Sequence, residues 1–239
     1  MKKISDAIRK AKNTRCSVVV VAAGSSTRMG EDKLFMDLCG KPVLERTLRA
    51  LSDCECVEEI ILVTREEILE KAAELCYENK LAKVTKVVIG GKSRNESALA
   101  GLSEIRRDAK LVLIHDGARP LVTEEVVRDA MHTAALYKCA APAVPLTDTV
   151  KETAGESVIR TLDRSRLAAV QTPQAFVPEI IKAALTLAVK NGVEYTDDCA
   201  AVEAMGIPVR LSEGSQENIK ITRPLDIQTA AAILKSRGE

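Results

Sequence analysis

Two hydrophobic rhythms alternate along the chain. Short continuous apolar runs recur, and between them lie stretches whose apolar residues fall three and four apart. The run Ser17-Val18-Val19-Val20-Val21-Ala22-Ala23 has no polar face to offer water, which is the pattern of a strand covered on both sides. A turn rich in Gly and Ser follows, and residues 42–52 read as a helix with Pro42 in its first turn. Strands at 59–64, 84–89, 111–115 and 140–144 then alternate with helices at 66–77, 95–107 and 123–137. Gly101 weakens the second of these helices, and Thr123 caps the third, with Glu124 and Glu125 in its first turn. Further on, helices are predicted at 178–190, at 196–205 (capped by Thr196, closed by Gly206) and at 224–234, with short strands at 209–212 and 219–221. Ile4, Ala7, Ile8 and Ala11 predict one short amphipathic helix ahead of all these elements. Residues 145–167 break the rhythm: they are rich in Thr and Arg and read as a β-arm projecting from the core.

Strands alternating with helices predict an α/β protein with a mostly parallel sheet covered on both faces. No linker rich in Gly, Ser or Pro, no repeat and no low-complexity tract interrupts the pattern. One domain over residues 1–239 is therefore expected, with the arm at about 145–167. In such sheets ligands sit beyond the carboxyl ends of the strands. Three of those ends carry unusual residues here: Ala22-Ala23-Gly24, Gly90-Gly91 and His115-Asp116-Gly117-Ala118-Arg119.

Composition narrows the function. Lys and Arg total 35 against 34 acidic residues, a net charge of +1, so no overall field draws the chain to nucleic acid or to an anionic membrane. An anion site has to be local. Aromatic residues make up 2% of the chain, too few for a base-stacking platform on single strands. The longest apolar run, 18–23, is too short to span a bilayer, and residues 1–13 lack the apolar stretch of a secretory signal. Seven scattered cysteines form neither a disulfide framework nor a zinc motif and read as reduced thiols of a cytoplasmic protein.

The first candidate constellation is Ala22-Ala23-Gly24-Ser25-Ser26-Thr27-Arg28-Met29-Gly30, followed by Lys33. Small residues at a strand end let the backbone approach a ligand, and successive N–H groups can cradle phosphate oxygens. Arg28 would grip phosphate with a planar fork and Lys33 as a point charge. The spacing matches neither the P-loop nor the dinucleotide fingerprint, and no acidic ribose ligand follows, which disfavours a dehydrogenase. An ordinary turn with two solvated cations is the plainer alternative. In the second constellation, Gly90-Gly91-Lys92-Ser93-Arg94-Asn95-Glu96-Ser97, paired glycines precede a helix start, as either a structural turn or a nucleotide contact. In the third, Asp116 beside Gly117 suits Mg²⁺ held by one carboxylate and completed by phosphate oxygens, or else an Asp–Arg pair closing a turn. His115 continues the apolar run and reads as a packed, hydrogen-bonded side chain.

Taken in order, Ala-Ala-Gly-x-x-x-Arg-Met (22–29) with Lys33, Gly-Gly-x-x-Arg-x-x-Ser (90–97), His-Asp-x-Ala-Arg-Pro (115–120), Asp-Thr-Val-Lys (148–151), Thr-Pro-Gln (172–174) and Asn-Ile-Lys-Ile-Thr (218–222) resemble the 2-C-methyl-D-erythritol 4-phosphate cytidylyltransferase family over about residues 16–234. The resemblance implies a Rossmann-like three-layer αβα nucleotidyltransferase core, Mg²⁺ as cofactor, and a homodimer whose arms clasp each other. It further implies that Arg28 and Lys33 stabilise the α-phosphate in the transition state. Ala22, Ala23, Gly24, Gly91 and Ser97 would hold the cytidine, and Asp116 the metal and triphosphate. Arg119 and Thr172 would face the substrate region. Thr149 and Arg164 from the partner's arm would hold the sugar-alcohol phosphate, with Lys220 aligning its attack. Three departures stand out: the loop between Arg28 and Lys33 is short, Lys92 stands where some relatives carry an acidic residue against the base, and Gly117 stands where some relatives have Ala. A ribitol 5-phosphate cytidylyltransferase and a non-catalytic nucleotide-binding regulator are the alternative readings.

Overall fold

The computed structural model describes residues 15–24 and 32–239. The expected helix at 4–11 and the candidate Arg28 lie outside the described residues.

The central sheet is built on strand β1 (Cys16–Ala22), which pairs in parallel with β4 (Val57–Thr64) on one side and β6 (Val112–Asp116) on the other. Beyond β4 lies β5 (Val84–Ile89), also parallel. Beyond β6 the order continues with the short antiparallel strand β11 (Gln174–Phe176), then β7 (Cys139–Pro145), which also pairs with β10 (Ala168–Val170) and with β12 (Arg210–Glu213). Strands β10 and β11 had no signature in the sequence, because three residues are too few to show a period.

Successive residues of the central strands feed opposite faces. Val18, Val20 and Leu62 pack with helices α1 (Val43–Asp53), α2 (Leu69–Glu78) and α4 (Glu124–Tyr137) in one apolar layer. Val19, Ile61 and Val63 pack with α3 (Arg94–Glu104), α5 (Pro178–Lys190) and α6 (Asp198–Glu203) in another. This is the three-layer αβα arrangement that the doubly apolar strands predicted. Gly101 has a packing reason to interrupt α3. A Cβ there would lie 2.4 Å from Val19 and 2.6 Å from Val63, so the glycine lets the helix sit directly on the sheet.

Smaller elements complete the chain. The pair β2 (Asp37–Leu38) and β3 (Lys41–Pro42) lies under the last helix, α7 (Pro224–Arg237), with Leu38, Val43, Ile221 and Leu234 between them. Strands β8 (Lys151–Ala154) and β9 (Ser157–Thr161) form an exposed two-stranded hairpin inside the segment expected as an arm. Two expectations need correction. Residues 219–221 form no strand: Ile221 donates one backbone bond to the Ala118 carbonyl, in the loop after β6, so no ladder develops. Helix α6 is capped by Asp197 rather than Thr196, because the Asp197 carboxylate accepts from the Ala200 N–H at 2.9 Å.

Candidate active site

Strand register brings the three unusual strand ends side by side. Val21 lies opposite Asp116, Ala22 opposite Thr64, and Thr64 opposite Ile89. Beyond these ends opens a crevice of about 470 Å³. Ala22, Ala23 and Gly24 line one side, Gly91 to Arg94 and Ser97 another, Asp116 to Ala118 the floor, and Lys33 and Lys220 reach in.

The turn after β5 is held by its own helix. Ser93 and Glu96 form a reciprocal capping box, and the Glu96 carboxylate also accepts the Lys92 N–H at 2.6 Å. Ser97 Oγ accepts from the Gly91 N–H at 3.1 Å and donates to the Ser93 carbonyl at 2.9 Å. The Ser97 hydroxyl thus fixes the turn from inside. A Cβ on residue 91 would stand 2.2 Å from Glu96 Cβ, so only glycine allows this tight wall.

Asp116 is the electrostatic centre of the floor. Lys220 Nζ lies 2.9 Å and Arg119 Nε 3.5 Å from its Oδ2. Burial alone would raise its pKa, but Lys220, Arg94 and Arg119 together bring it down to about 2. Its backbone N–H donates to Thr172 Oγ1 at 3.1 Å. The Thr172 hydroxyl in turn meets His115 Nδ1 at 3.0 Å, and His115 Nε2 meets the Arg119 carbonyl at 3.2 Å. A carbonyl can only accept, so Nε2 carries a proton, and burial favours the neutral ring. Burial lowers the His115 pKa to about 4. Arg119 is anchored at its other end, where it donates to the Asn218 carbonyl at 2.6 Å. Asn218 Nδ2 donates to the Thr172 carbonyl at 2.9 Å.

Arg94 is the crevice residue that sequence reasoning left unassigned. Its two terminal nitrogens fork onto Asp198 at 2.8 and 2.6 Å, and Asp198 is fully buried. Burial works against its charge, yet Asp198, Asp116 and Asp197 raise its pKa. The signal was present in the sequence as Gly-Gly-x-x-Arg, but its partner stands 104 positions away. No local spacing could connect the two. Gln174 supports the same corner by accepting from the Asp198 and Cys199 N–H groups.

Of the predicted site residues, Ala22, Ala23, Gly24, Lys33, Gly91, Ser97, Asp116 and Lys220 share this crevice. Arg119 and Thr172 lie directly beneath it, bonded to Asp116. Thr149 and Arg164 are exposed and stand apart from it. Arg164 bonds the Thr147 carbonyl and lines a separate cavity of about 590 Å³ at the base of the arm, with Leu146, Leu167 and Leu211. Among the described residues no group of three or more His, Cys, Asp or Glu side chains could hold a metal, and no helix is long and apolar enough to cross a membrane. All seven cysteines are free thiols.

A mostly parallel αβα sheet with a tight small-residue cradle at its strand ends, and cations converging on one ionised carboxylate, defines a nucleotidyltransferase-like protein. Comparison with known proteins agrees with that class and narrows it. Residues 16–236 match the profile of IspD, 2-C-methyl-D-erythritol 4-phosphate cytidylyltransferase. An enzyme of that name from Caldanaerobacter subterraneus subsp. tengcongensis is 43% identical over 227 residues, covering 92% of this chain and 98% of its own. The crystal structure of 4-diphosphocytidyl-2C-methyl-D-erythritol synthase from Anaerococcus prevotii superposes with a TM-score of 0.83 at 30% identity, over 96% of this chain and 99% of that one. The Thermus thermophilus cytidylyltransferase structure gives 0.78 at 30% identity, over 93% and 100%. The chain belongs to the 2-C-methyl-D-erythritol 4-phosphate cytidylyltransferase family, which is a family of enzymes.

Proposed function

We propose that the protein transfers CMP from CTP to 2-C-methyl-D-erythritol 4-phosphate and releases pyrophosphate, as a cytoplasmic step of non-mevalonate isoprenoid precursor synthesis. The observation that carries this reading is the convergence of Lys33, Asp116 and Lys220 on one crevice in a chain of this family. The cytidine lies against Ala22 to Gly24 and the Gly91–Ser97 wall, read chiefly by backbone groups beside Lys92. Lys33, with Arg28, neutralises the charge that builds on the α-phosphate. Lys220 orients the incoming phosphate. The reaction is in-line displacement, and its acceleration comes from positioning and from preorganised positive charge.

No side chain has to remove a proton, because a phosphate monoester dianion is already a nucleophile. The crevice agrees with this. Its histidine neighbour, His115, is buried, neutral and bonded through both ring nitrogens. Asp116 fits a hydrated Mg²⁺, which takes one or two carboxylates and fills its octahedron with water and phosphate oxygens. The carboxyl is held ionised, and Lys220 and Arg119 both approach the same oxygen, Oδ2. Bound there, the metal would supply charge neutralisation for the triphosphate and the departing pyrophosphate.

Thr149 and Arg164 serve the acceptor from the arm of a second subunit. Both residues are exposed and neither lines the crevice of its own chain, which supports this. Incubation with CTP, Mg²⁺ and 2-C-methyl-D-erythritol 4-phosphate should release pyrophosphate, and a chelator should abolish it. Equal release with ribitol 5-phosphate, or none with either acceptor, defeats the assignment. The composite site has its own test. Arg28→Ala and Arg164→Ala homodimers should each be nearly inactive. Random mixing should restore about a quarter of wild-type activity, since a mixed C₂ dimer carries both lesions in one site and neither in the other. Tandem-tagged mixed dimers that stay inactive would remove the arm from the site.

A further inference from the structure

We propose that Arg65 is a positioning residue for CMP transfer, clasping Gly24 and Asp32 together and thereby setting Lys33 in the crevice. Gly24 and Asp32 bracket residues 25–31, and both flank the crevice, Gly24 directly and Asp32 through its neighbour Lys33. Arg65 is the first residue after β4, and Thr64 lies opposite Ala22, so the Arg65 side chain starts beside the end of β1. From there its guanidinium spans both stems. One terminal nitrogen donates to the Gly24 carbonyl at 3.3 Å, and the other is bonded to Asp32 Oδ2. Nε points to the Glu67 carboxylate at 3.6 Å.

Asp32 passes this restraint on. Its second oxygen accepts from the Leu34 N–H at 3.2 Å, and its carbonyl accepts from the Phe35 N–H at 2.9 Å. Lys33 therefore sits within a tight turn, with Asp32 fixed by Arg65 on one side and Leu34 buried in the core on the other. The path from the rigid end of β4 to Lys33 runs through Arg65 and Asp32, without a gap.

Arg65 is not itself a phosphate ligand by this geometry. It does not line the crevice, and its donors face protein acceptors. The Arg65 and Asp32 side chains are only 24% and 19% exposed, so the contact is partly withdrawn from water. A fork of fixed geometry is required, because two acceptors on different segments must be met at once; a lysine offers a single point charge. This inference rests on the role given to Lys33 above.

The test is steady-state kinetics of pyrophosphate release for Arg65→Ala, Arg65→Lys, Lys33→Ala and the double variant Lys33→Ala/Arg65→Ala. Displacing a catalytic group by about 1 Å costs up to about 100-fold in rate. Arg65→Ala should therefore lower kcat by about 10- to 100-fold, with much less change in KM for CTP and in thermal midpoint. Arg65→Lys should recover little of the loss. In the Lys33→Ala background the Arg65 substitution should cost less than about twofold, because the two act through one group. If Lys33→Ala is slow and Arg65→Ala slows it further by its full factor, the clasp is overturned while the role of Lys33 stands. If Lys33→Ala turns over normally, the role of Lys33 fails and the path through it fails as well. Full recovery by Arg65→Lys, or a loss of kcat that follows a falling thermal midpoint, also overturns the proposal.

Discussion

The crevice and the arm are built on opposite terms. Around Asp116 the charged and polar groups answer one another, and of them only Lys220 is exposed: Lys220 and Arg119 meet Asp116, Arg94 meets Asp198, and His115 meets Thr172. The β8–β9 hairpin has almost nothing beneath it. Its strands are exposed, Val158 and Ile159 keep 58% of their surface in water, and its side-chain links are surface contacts such as Arg160 to Glu152 at 2.6 Å. A two-stranded hairpin is marginal by itself, and adjacent exposed apolar residues on it are the kind of surface that a partner covers. The crevice is thus organised by its own chain, while the arm leaves both its polar and its apolar side chains exposed. Substitutions should then be costly in the first region and cheap for folding in the second.

The largest expected effect is on turnover. Lys33→Ala should lower kcat by two to three powers of ten, about 3–4 kcal/mol, while KM for CTP moves little, because the charge it meets grows in the transition state. A rise in KM with kcat unchanged would make Lys33 a ground-state binding group and blunt the contrast with the arm.

Acid should expose the buried network next. His115 has its pKa lowered by burial from the ordinary 6.5 to about 4, so the unfolded chain binds more protons between those values. Its contribution is complete above about pH 6.5 and is lost as pH falls toward 4, roughly 3 kcal/mol in all. Urea unfolding across that window should show the decline, and His115→Gln should flatten it. An equal slope in the variant would assign the loss elsewhere.

Asp116 acts in a lower window. Its pKa falls from the ordinary 3.8 to about 2, so its contribution is present above about pH 4 and disappears on the way to pH 2. That is roughly 2 kcal/mol, and Asp116→Asn should remove the corresponding slope from acid unfolding. The smallest effect belongs to the arm. Glu152→Ala or Arg160→Ala should change the unfolding free energy by less than about 1 kcal/mol, as exposed ion pairs do. A larger loss would mean that the hairpin is part of the folding core, and the comparison would fall.

Much of the scaffold could be read ahead of the structure, since it depends on patterns that repeat over many residues. The runs at 17–23, 59–64 and 84–89 fall on β1, β4 and β5, and the helix at 178–190 coincides with α5. Short elements escaped. The three residues of β11 are fully buried and antiparallel between β6 and β7, yet nothing in Gln-Ala-Phe marks them. The site divides in the same way. Ala22-Ala23-Gly24, Gly91 and Asp116 were readable because strand ends of a parallel sheet converge. Arg94 was readable as part of a strand-end constellation but not as the partner of Asp198, and Arg65 offered no signal, for each owes its contacts to partners on other segments.

The sequence by itself determined the αβα class, the crevice at the strand ends and the small-residue cradle within it, because hydrophobic period and backbone permissiveness are local properties. Only the tertiary structure decided which charges meet. Lys220 joins Asp116, Arg94 joins Asp198 and Arg65 joins Gly24 to Asp32 across 33 to 104 positions of chain. A side-chain contact depends on where two backbones have already been placed by the core, and no spacing rule along one segment carries that information.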